Sequence, residues 1–180
     1  MLLILRLFKG IKIKKLSGNS FLRNFLNEEE LQDKKCLFLI NPSQEDSIIN
    51  NNYLKSKNIY INIDSQYSAP LYDKVSIQDQ NLLKIIEHKK PKYILINIGG
   101  CIQERLGSYL KNNLSYNPGI ICTGAAFAFL TGRQTMIPVF VDKLYLGWLW
   151  RSIDRPTVFI PRYIKGYKLF FMLIKEGSIK

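Results

Sequence analysis

Four short apolar runs, separated by stretches of helical periodicity, restrict the fold of this chain more than any other feature. "KCLFLIN" (35–41) is continuous and stopped by Pro42; "IYINI" (59–63) and "KYILINI" (92–98) follow, and "PGIIC" opens a fourth run at 118. Short runs without polar alternation read as strands buried on both faces. Between them, residues 44–56 and 102–113 predict helices, the second with Leu106 and Leu110 on one side. Residues 76–90 predict another, with Ile77, Leu82, Leu83, Ile85 and Ile86 as its stripe and Pro91 as its stop. "SGNSFLRNFLN" (17–27) predicts an earlier helix, capped by Asn19 or Ser20, with Phe21, Leu22, Phe25 and Leu26 on one face. "SAPLYDK" (68–74) reads as loop. Strands alternating with helices predict the α/β class, a Rossmann-like parallel sheet with helices on both faces. A chain of 180 residues is long enough for one such core.

The texture changes after Gly132, so we divide the chain into a Rossmann-like domain (1–132) and a basic helical C-terminal appendage (133–180). "IPVFVDKLYLGWLWRSI" (137–153) sets Phe140, Val141, Leu144 and Trp148 at helical spacing, with Pro138 near the first turn. Nine Lys and Arg lie between Arg133 and Lys180 against Asp142, Asp154 and Glu176, which gives this quarter +6 of the whole chain's +12. Such a concentration suits anionic lipid, nucleic acid or a phosphorylated substrate; a solvated basic face is the plainer alternative. In "RYIKGYKLFFMLIK" (162–175) the basic residues alternate with large aliphatics. That pattern fits an interfacial membrane helix better than a base-stacking surface, so an anionic membrane is expected as partner and nucleic acid is not. No run approaches the roughly 20 apolar residues of a membrane span. "MLLILRLF" is broken by Arg6 and lacks a signal-peptide cleavage pattern. Cys36, Cys101 and Cys122 form no CxxC pair and His88 is the single histidine, which argues against a Cys/His zinc site. The cysteines read as small core residues of a reduced compartment.

Ligands of parallel α/β sheets bind beyond the carboxyl ends of the strands. Gly99 and Gly100 lie there, just before a helix whose N-terminus offers free N–H groups. Thr123 and Gly124 repeat the arrangement after the next strand, and together the turns suit a diphosphate or a sugar. Gln103 can donate and accept hydrogen bonds, as a sugar hydroxyl or a uracil edge requires. Glu104 can bind a hydroxyl or form a salt bridge with Arg105 or the basic tail; equally, both can be plain first-turn residues, where a carboxylate favours the helix dipole.

"INIGGCIQE" (96–104) resembles the Gly-x-Pro-Lys-Gln-Glu segment of the WecG/TagA/CpsF glycosyltransferases, glycosyltransferase family 26. "CTGAAFAFLTGRQTMIP" resembles that family's Gly-x-x-x-Asp-x-x-x-Gly segment with its Arg-Ala-Pro, and "LYLGWLWRSIDRPTVFIPRY" its Leu-Glu-Trp-x-x-Arg ending. "KLSGNSFLRNFL" resembles its Gly-Thr-Asp-Leu helix. The resemblance implies transfer of an N-acetylmannosamine-like sugar from a UDP donor to a polyprenyl-diphosphate-linked acceptor, in surface polysaccharide synthesis. It implies no cofactor and no metal, and a place at the cytoplasmic, inner face of the membrane. By position, Gln103 would contact donor or acceptor, and Arg151, Arg155 and Arg162 would meet the diphosphate through bidentate forks.

This chain departs from the pattern at several polar positions. Pro-Lys is Cys101-Ile102, the Gly-rich segment's Asp is Ala128, Arg-Ala-Pro is Met136-Ile137-Pro138, and the Glu before Trp is Gly147. No residue matches the family's Asp-Gly aspartate, its proposed general base, so the sequence assigns no catalytic residue. The chain is accordingly expected to lack the family's N-terminal part. Asp64 and Asp73 lie near strand ends as candidate substitutes or loop caps. A non-catalytic relative that binds a nucleotide-sugar, a lipid-linked glycan or a partner transferase is the alternative. An incomplete sheet exposes an edge, so self-association or a partner chain is expected.

Overall fold

The computed structural model describes residues 18–33, 35–73, 77–124, 126–134, 141, 144, 146–154, 156–157, 159–161 and 163–164. The chain divides into two compact units, residues 16–135 and residues 1–15 with 136–180.

In the larger unit, strands β1 (Leu37–Asn41), β2 (Gln66–Ser68), β3 (Tyr93–Ile96) and β4 (Gly119–Cys122) form one sheet in the order β2-β1-β3-β4. Every pairing is parallel, with Ile40 opposite Ile96, Ile96 opposite Cys122, and Leu39 opposite Gln66. Helices α1 (Gly18–Phe25), α2 (Gln44–Ser56), α3 (Gln80–Lys89), α4 (Ile102–Asn113) and α5 (Ala126–Leu130) fill the intervals. Alternate strand residues face opposite ways. Phe38, Ile40, Ile94 and Ile96 pack with Leu82 and Ile86 of α3 and Leu106 and Leu110 of α4. Leu37, Leu39 and Leu95 pack with Leu22 of α1, Leu54 of α2 and Phe127 of α5. Burial on both faces is why β1 and β3 are unbroken apolar runs. The expected α/β sheet with helices on both faces is present.

Three local expectations change. Residues 59–62 are not a strand: Asn58 takes a left-handed φ of 60° and the Ile59 N–H returns to Leu54 O at 3.0 Å, tying the segment to the end of α2. Ile59 and Ile61 still bury their side chains, so the two-residue alternation is real, but the ladder forms only at the polar edge segment Gln66–Ser68. Helix α3 starts at Gln80, because Asp79 caps it by accepting the Leu82 N–H at 2.9 Å. Helix α1 starts at Gly18, which puts Asn19 and Ser20 inside its first turn. Of the expected 137–153 helix, α6 (Gly147–Asp154) is described in the smaller unit, while 135–140, 142–143 and 145 lie outside the described residues, as do 165–180. There Tyr163 stands edge-on to Trp148, with ring centroids 6.1 Å apart, and stacks with Phe159 at 6.2 Å. Trp148, Leu149, Ile153, Ile160 and Ile164 are exposed. Among the described residues no helix is long and apolar enough to cross a membrane.

Candidate functional site

From β1 the chain passes to β2 on one side and then crosses to β3 on the other, so the strand order reverses between β1 and β3. Open parallel sheets bind ligands at that reversal, beyond the strand ends. β1 ends there on Asn41, and Asn97 follows β3 directly.

Asn41 is fully buried and joins the strand ends. Its Oδ1 accepts from Asn50 Nδ2 and Asn97 Nδ2, both at 2.8 Å. Its Nδ2 donates to Ser47 Oγ at 3.1 Å and Gln66 Oε1 at 3.4 Å. Asn97 Oδ1 in turn accepts from the Thr123 hydroxyl, which also lies 3.1 Å from Ile96 O. One polar chain therefore crosses from β2 through β1 and β3 to the turn after β4. Sequence reasoning missed Asn41, Asn50 and Asn97; the signal was the tripeptide Leu-Ile-Asn closing both runs, at 39–41 and 95–97. Thr123, expected at the site, directs its hydroxyl into this network.

Thr123 and Gly124 both donate their N–H to Ile96 O, at 3.0 and 3.3 Å, so the turn after β4 folds against the end of β3. Gly124 has φ +56°, and a Cβ there would stand 3.4 Å from both amide atoms of Gln103. The structure thus brings Gln103 and Gly124 together. Gly99 and Gly100 face open space, since a Cβ on either would meet nothing within 4 Å. The left-handed backbone falls instead on Cys101, the residue before α4, at φ 71° and ψ −39°.

Gln103 is 8% exposed, and its Oε1 is buried without a hydrogen-bond partner. A buried acceptor left unmade costs about 1–3 kcal/mol, which a donor from a ligand recovers. Its Nε2 donates to Glu104 Oε1 at 2.8 Å. Partial burial pushes the Glu104 carboxyl up, but the Gln103 amide and the N–H groups of Glu104 and Cys101 outweigh it and hold it below the ordinary range. Glu104 is the third residue of α4, and Cys101, the residue before the helix, makes no side-chain cap of its own. Glu104 neither pairs with Arg105 nor stands free.

The other candidates lie elsewhere. Asp64 precedes β2, at the opposite edge of the sheet, and is ion-paired with Lys89. Asp73 is exposed in the loop after β2. Asp79 accepts from the hydroxyls of Tyr67 at 2.9 Å and Tyr72 at 2.7 Å. Arg133, counted with the basic tail, is bound by the first turn of α2 through Glu45 at 2.8 Å and Asp46 at 3.4 Å. Arg151 sits in α6, its side chain outside what is described, and Arg155 and Arg162 lie outside the described residues. Cys36 is core as expected, but Cys101 and Cys122 are exposed, because Cys101 lies in the turn before α4 and Cys122 closes the edge strand β4. Among the described residues no three His, Cys, Asp or Glu groups are placed to hold a metal. A separate cleft of about 410 Å³ opens along α2 and β2, lined by Gln44, Ser47, Asn51, Lys55, Ile63 and Gln66 among others.

Residues 1–179 match the family model described as "Glycosyl transferase WecG/TagA/CpsF family". No curated protein and no solved structure matches the chain.

Proposed function

This chain belongs to the WecG/TagA/CpsF glycosyltransferase family of polysaccharide biosynthesis, and from that premise we propose that it transfers an N-acetylhexosamine-type sugar from a UDP donor to a polyprenyl-diphosphate-linked acceptor. The observation that carries the reading is the unpartnered Gln103 oxygen, buried beside the Gly124 turn next to the open Gly99–Gly100 turn. A sugar hydroxyl or a uracil N–H supplies the donor that this oxygen lacks. Arg151, Arg155 and Arg162 serve the acceptor diphosphate, and the basic, aromatic tail meets the cytoplasmic membrane face.

A second reading has its own observation. The carboxylates at the starts of α2, α3 and α4 are all engaged: Glu45 and Asp46 by Arg133, Asp79 by two tyrosines, and Glu104 by Gln103. A positioned general base typically contributes about 10²–10⁴ in rate. A non-catalytic relative that holds a nucleotide-sugar, a lipid-linked glycan or a partner transferase needs none.

Both readings are tested by incubating the full chain with UDP-N-acetylhexosamines and a lipid-diphosphate acceptor in anionic vesicles. Sugar transfer that drops at least about tenfold in Gln103→Ala supports the enzyme. Retained UDP-sugar binding without transfer supports the non-catalytic reading; neither transfer nor binding overturns both. Removing residues 163–180 is expected to abolish vesicle association while the sheet stays folded, and unchanged association contradicts the membrane role.

A further inference from the structure

We propose that Glu104 is a positioning residue: by accepting the Gln103 amide N–H it presents Gln103 Oε1 to the Gly124 turn, so that this corner beyond the strand ends selects a ligand group that donates a hydrogen bond and rejects a phosphate oxygen. This rests on that corner being the sugar-donor site.

A glutamine amide is ambivalent: turned one way it offers an acceptor, turned the other it offers two donors. Here one interaction breaks the ambiguity. Gln103 Nε2 lies 2.8 Å from Glu104 Oε1, and a carboxylate can only accept. Turning the amide over would set Oε1 against that carboxylate, two acceptors with no proton between them. Glu104 stays ionised at neutral pH, because the Gln103 amide and the N–H groups of Glu104 and Cys101 outweigh its partial desolvation. Oε1 is therefore held in place, buried and unpartnered. Gly124 packs against the same amide, since a Cβ there would stand at contact distance, 3.4 Å, from both of its polar atoms.

The same contacts change what the start of α4 can bind. A free helix N-terminus attracts phosphate through its unpaired N–H groups and dipole. At this end the Gln103 N–H already donates to Gly99 O at 3.2 Å, and the Glu104 carboxylate, held by Gln103 Nε2 at 2.8 Å, sets a negative charge beside the first turn. A phosphate oxygen approaching Gln103 would meet a carbonyl oxygen backed by a carboxylate. A hydroxyl or an imide N–H meets an acceptor waiting for it. The geometry thus assigns the sugar or the uracil, rather than the diphosphate, to the Gln103 corner.

Two readouts test this. In ¹⁵N-edited NMR of the full chain, the Gln103 side-chain amide should exchange at least about tenfold more slowly in wild type than in Glu104→Gln, a variant that can still cap the helix. Equal exchange overturns the positioning role. In binding assays the probes are UDP-N-acetylglucosamine, its N3-methyluracil analogue, its deoxyfluoro-sugar analogues and inorganic pyrophosphate. Wild type should lose about tenfold or more in affinity for the one analogue that lacks the engaged donor, which separates base from sugar. Glu104→Gln should shrink that discrimination, and in a Gln103→Leu background it should have no further effect on it. Discrimination that survives Glu104→Gln, or pyrophosphate affinity that falls in Gln103→Leu, overturns the proposal. If wild type binds no UDP probe, the donor class proposed above fails, and the NMR exchange rates alone decide the positioning role.

Discussion

Replacing Asn41 by leucine removes the centre of the hydrogen-bond chain that joins the strand ends while nearly conserving volume. Asn41 is completely buried, so water cannot take its place. The side-chain amides of Asn50 and Asn97, each 2.8 Å from Asn41 Oδ1, lose their acceptor. Ser47 loses less, because its hydroxyl still donates to Ser43 O at 3.1 Å. Each orphaned buried donor costs about 1–3 kcal/mol. Two such donors cost about 2–6 kcal/mol; against a gain of roughly 1–2 kcal/mol from the leucine's apolar surface, the net loss is centred near 2–3 kcal/mol and reaches at most about 5, a large part of a typical domain's 5–15 kcal/mol. Urea unfolding followed by circular dichroism should show a midpoint lower by roughly 1–2 M at unchanged slope. Adding Asn97→Leu should cost less than Asn97→Leu costs alone, because one orphaned donor disappears with it. A net gain in stability, or strict additivity of the pair, would refute the claim that Asn41 joins the strand ends.

Three further outcomes follow from single positions. Cys101→Gly should stabilise the fold by up to about 1 kcal/mol, because a glycine accepts φ 71° without strain at some cost in chain entropy; a lower unfolding midpoint contradicts this. Gly119→Ala should destabilise by about 1–3 kcal/mol, since its Cβ would stand 2.6 Å from Tyr93 Cδ1 and the ring is held edge-on to Phe25 at 5.1 Å; an unchanged midpoint would show that the ring yields freely. The backbone N–H and hydroxyl of Ser115 hold the Glu87 carboxyl below its ordinary range. A lowered folded value means stability that is complete above the ordinary carboxylate range near pH 4 and is lost as pH falls through the folded value. Thermal midpoints measured from about pH 5 to about pH 3 should therefore fall less steeply in Glu87→Gln than in wild type, and equal slopes would contradict the linkage.

β1 and β3 were legible because burial on both faces leaves its mark as runs without alternation, and β4 through its half-buried Ile120 and Ile121. β2 was not, because an edge strand of Gln66, Tyr67 and Ser68 lies partly in solvent and needs no apolar run. The neighbouring "IYINI" attracted the assignment because Ile59 and Ile61 bury their side chains without pairing their backbone. Gln103 was legible as a polar residue at the start of a helix after two glycines. Its orientation was not, because residues adjacent on a helix do not ordinarily face each other and spacing alone gives no reason to pair Gln103 with Glu104. The asparagines were hidden for a different reason. A polar residue closing an apolar run looks like the first residue of a turn, and only the sheet register shows Asn41 and Asn97 to be neighbours.

The most direct test of the account is a crystal structure of the chain with a UDP-N-acetylhexosamine. The ligand is expected beyond the ends of β1, β3 and β4, with one of its hydroxyl or N–H groups about 2.7–3.2 Å from Gln103 Oε1. The sugar should pass the open Gly99–Gly100 turn, with no phosphate oxygen touching Glu104. Ligand bound instead in the cleft between α2 and β2, or a phosphate seated on the start of α4, would contradict it.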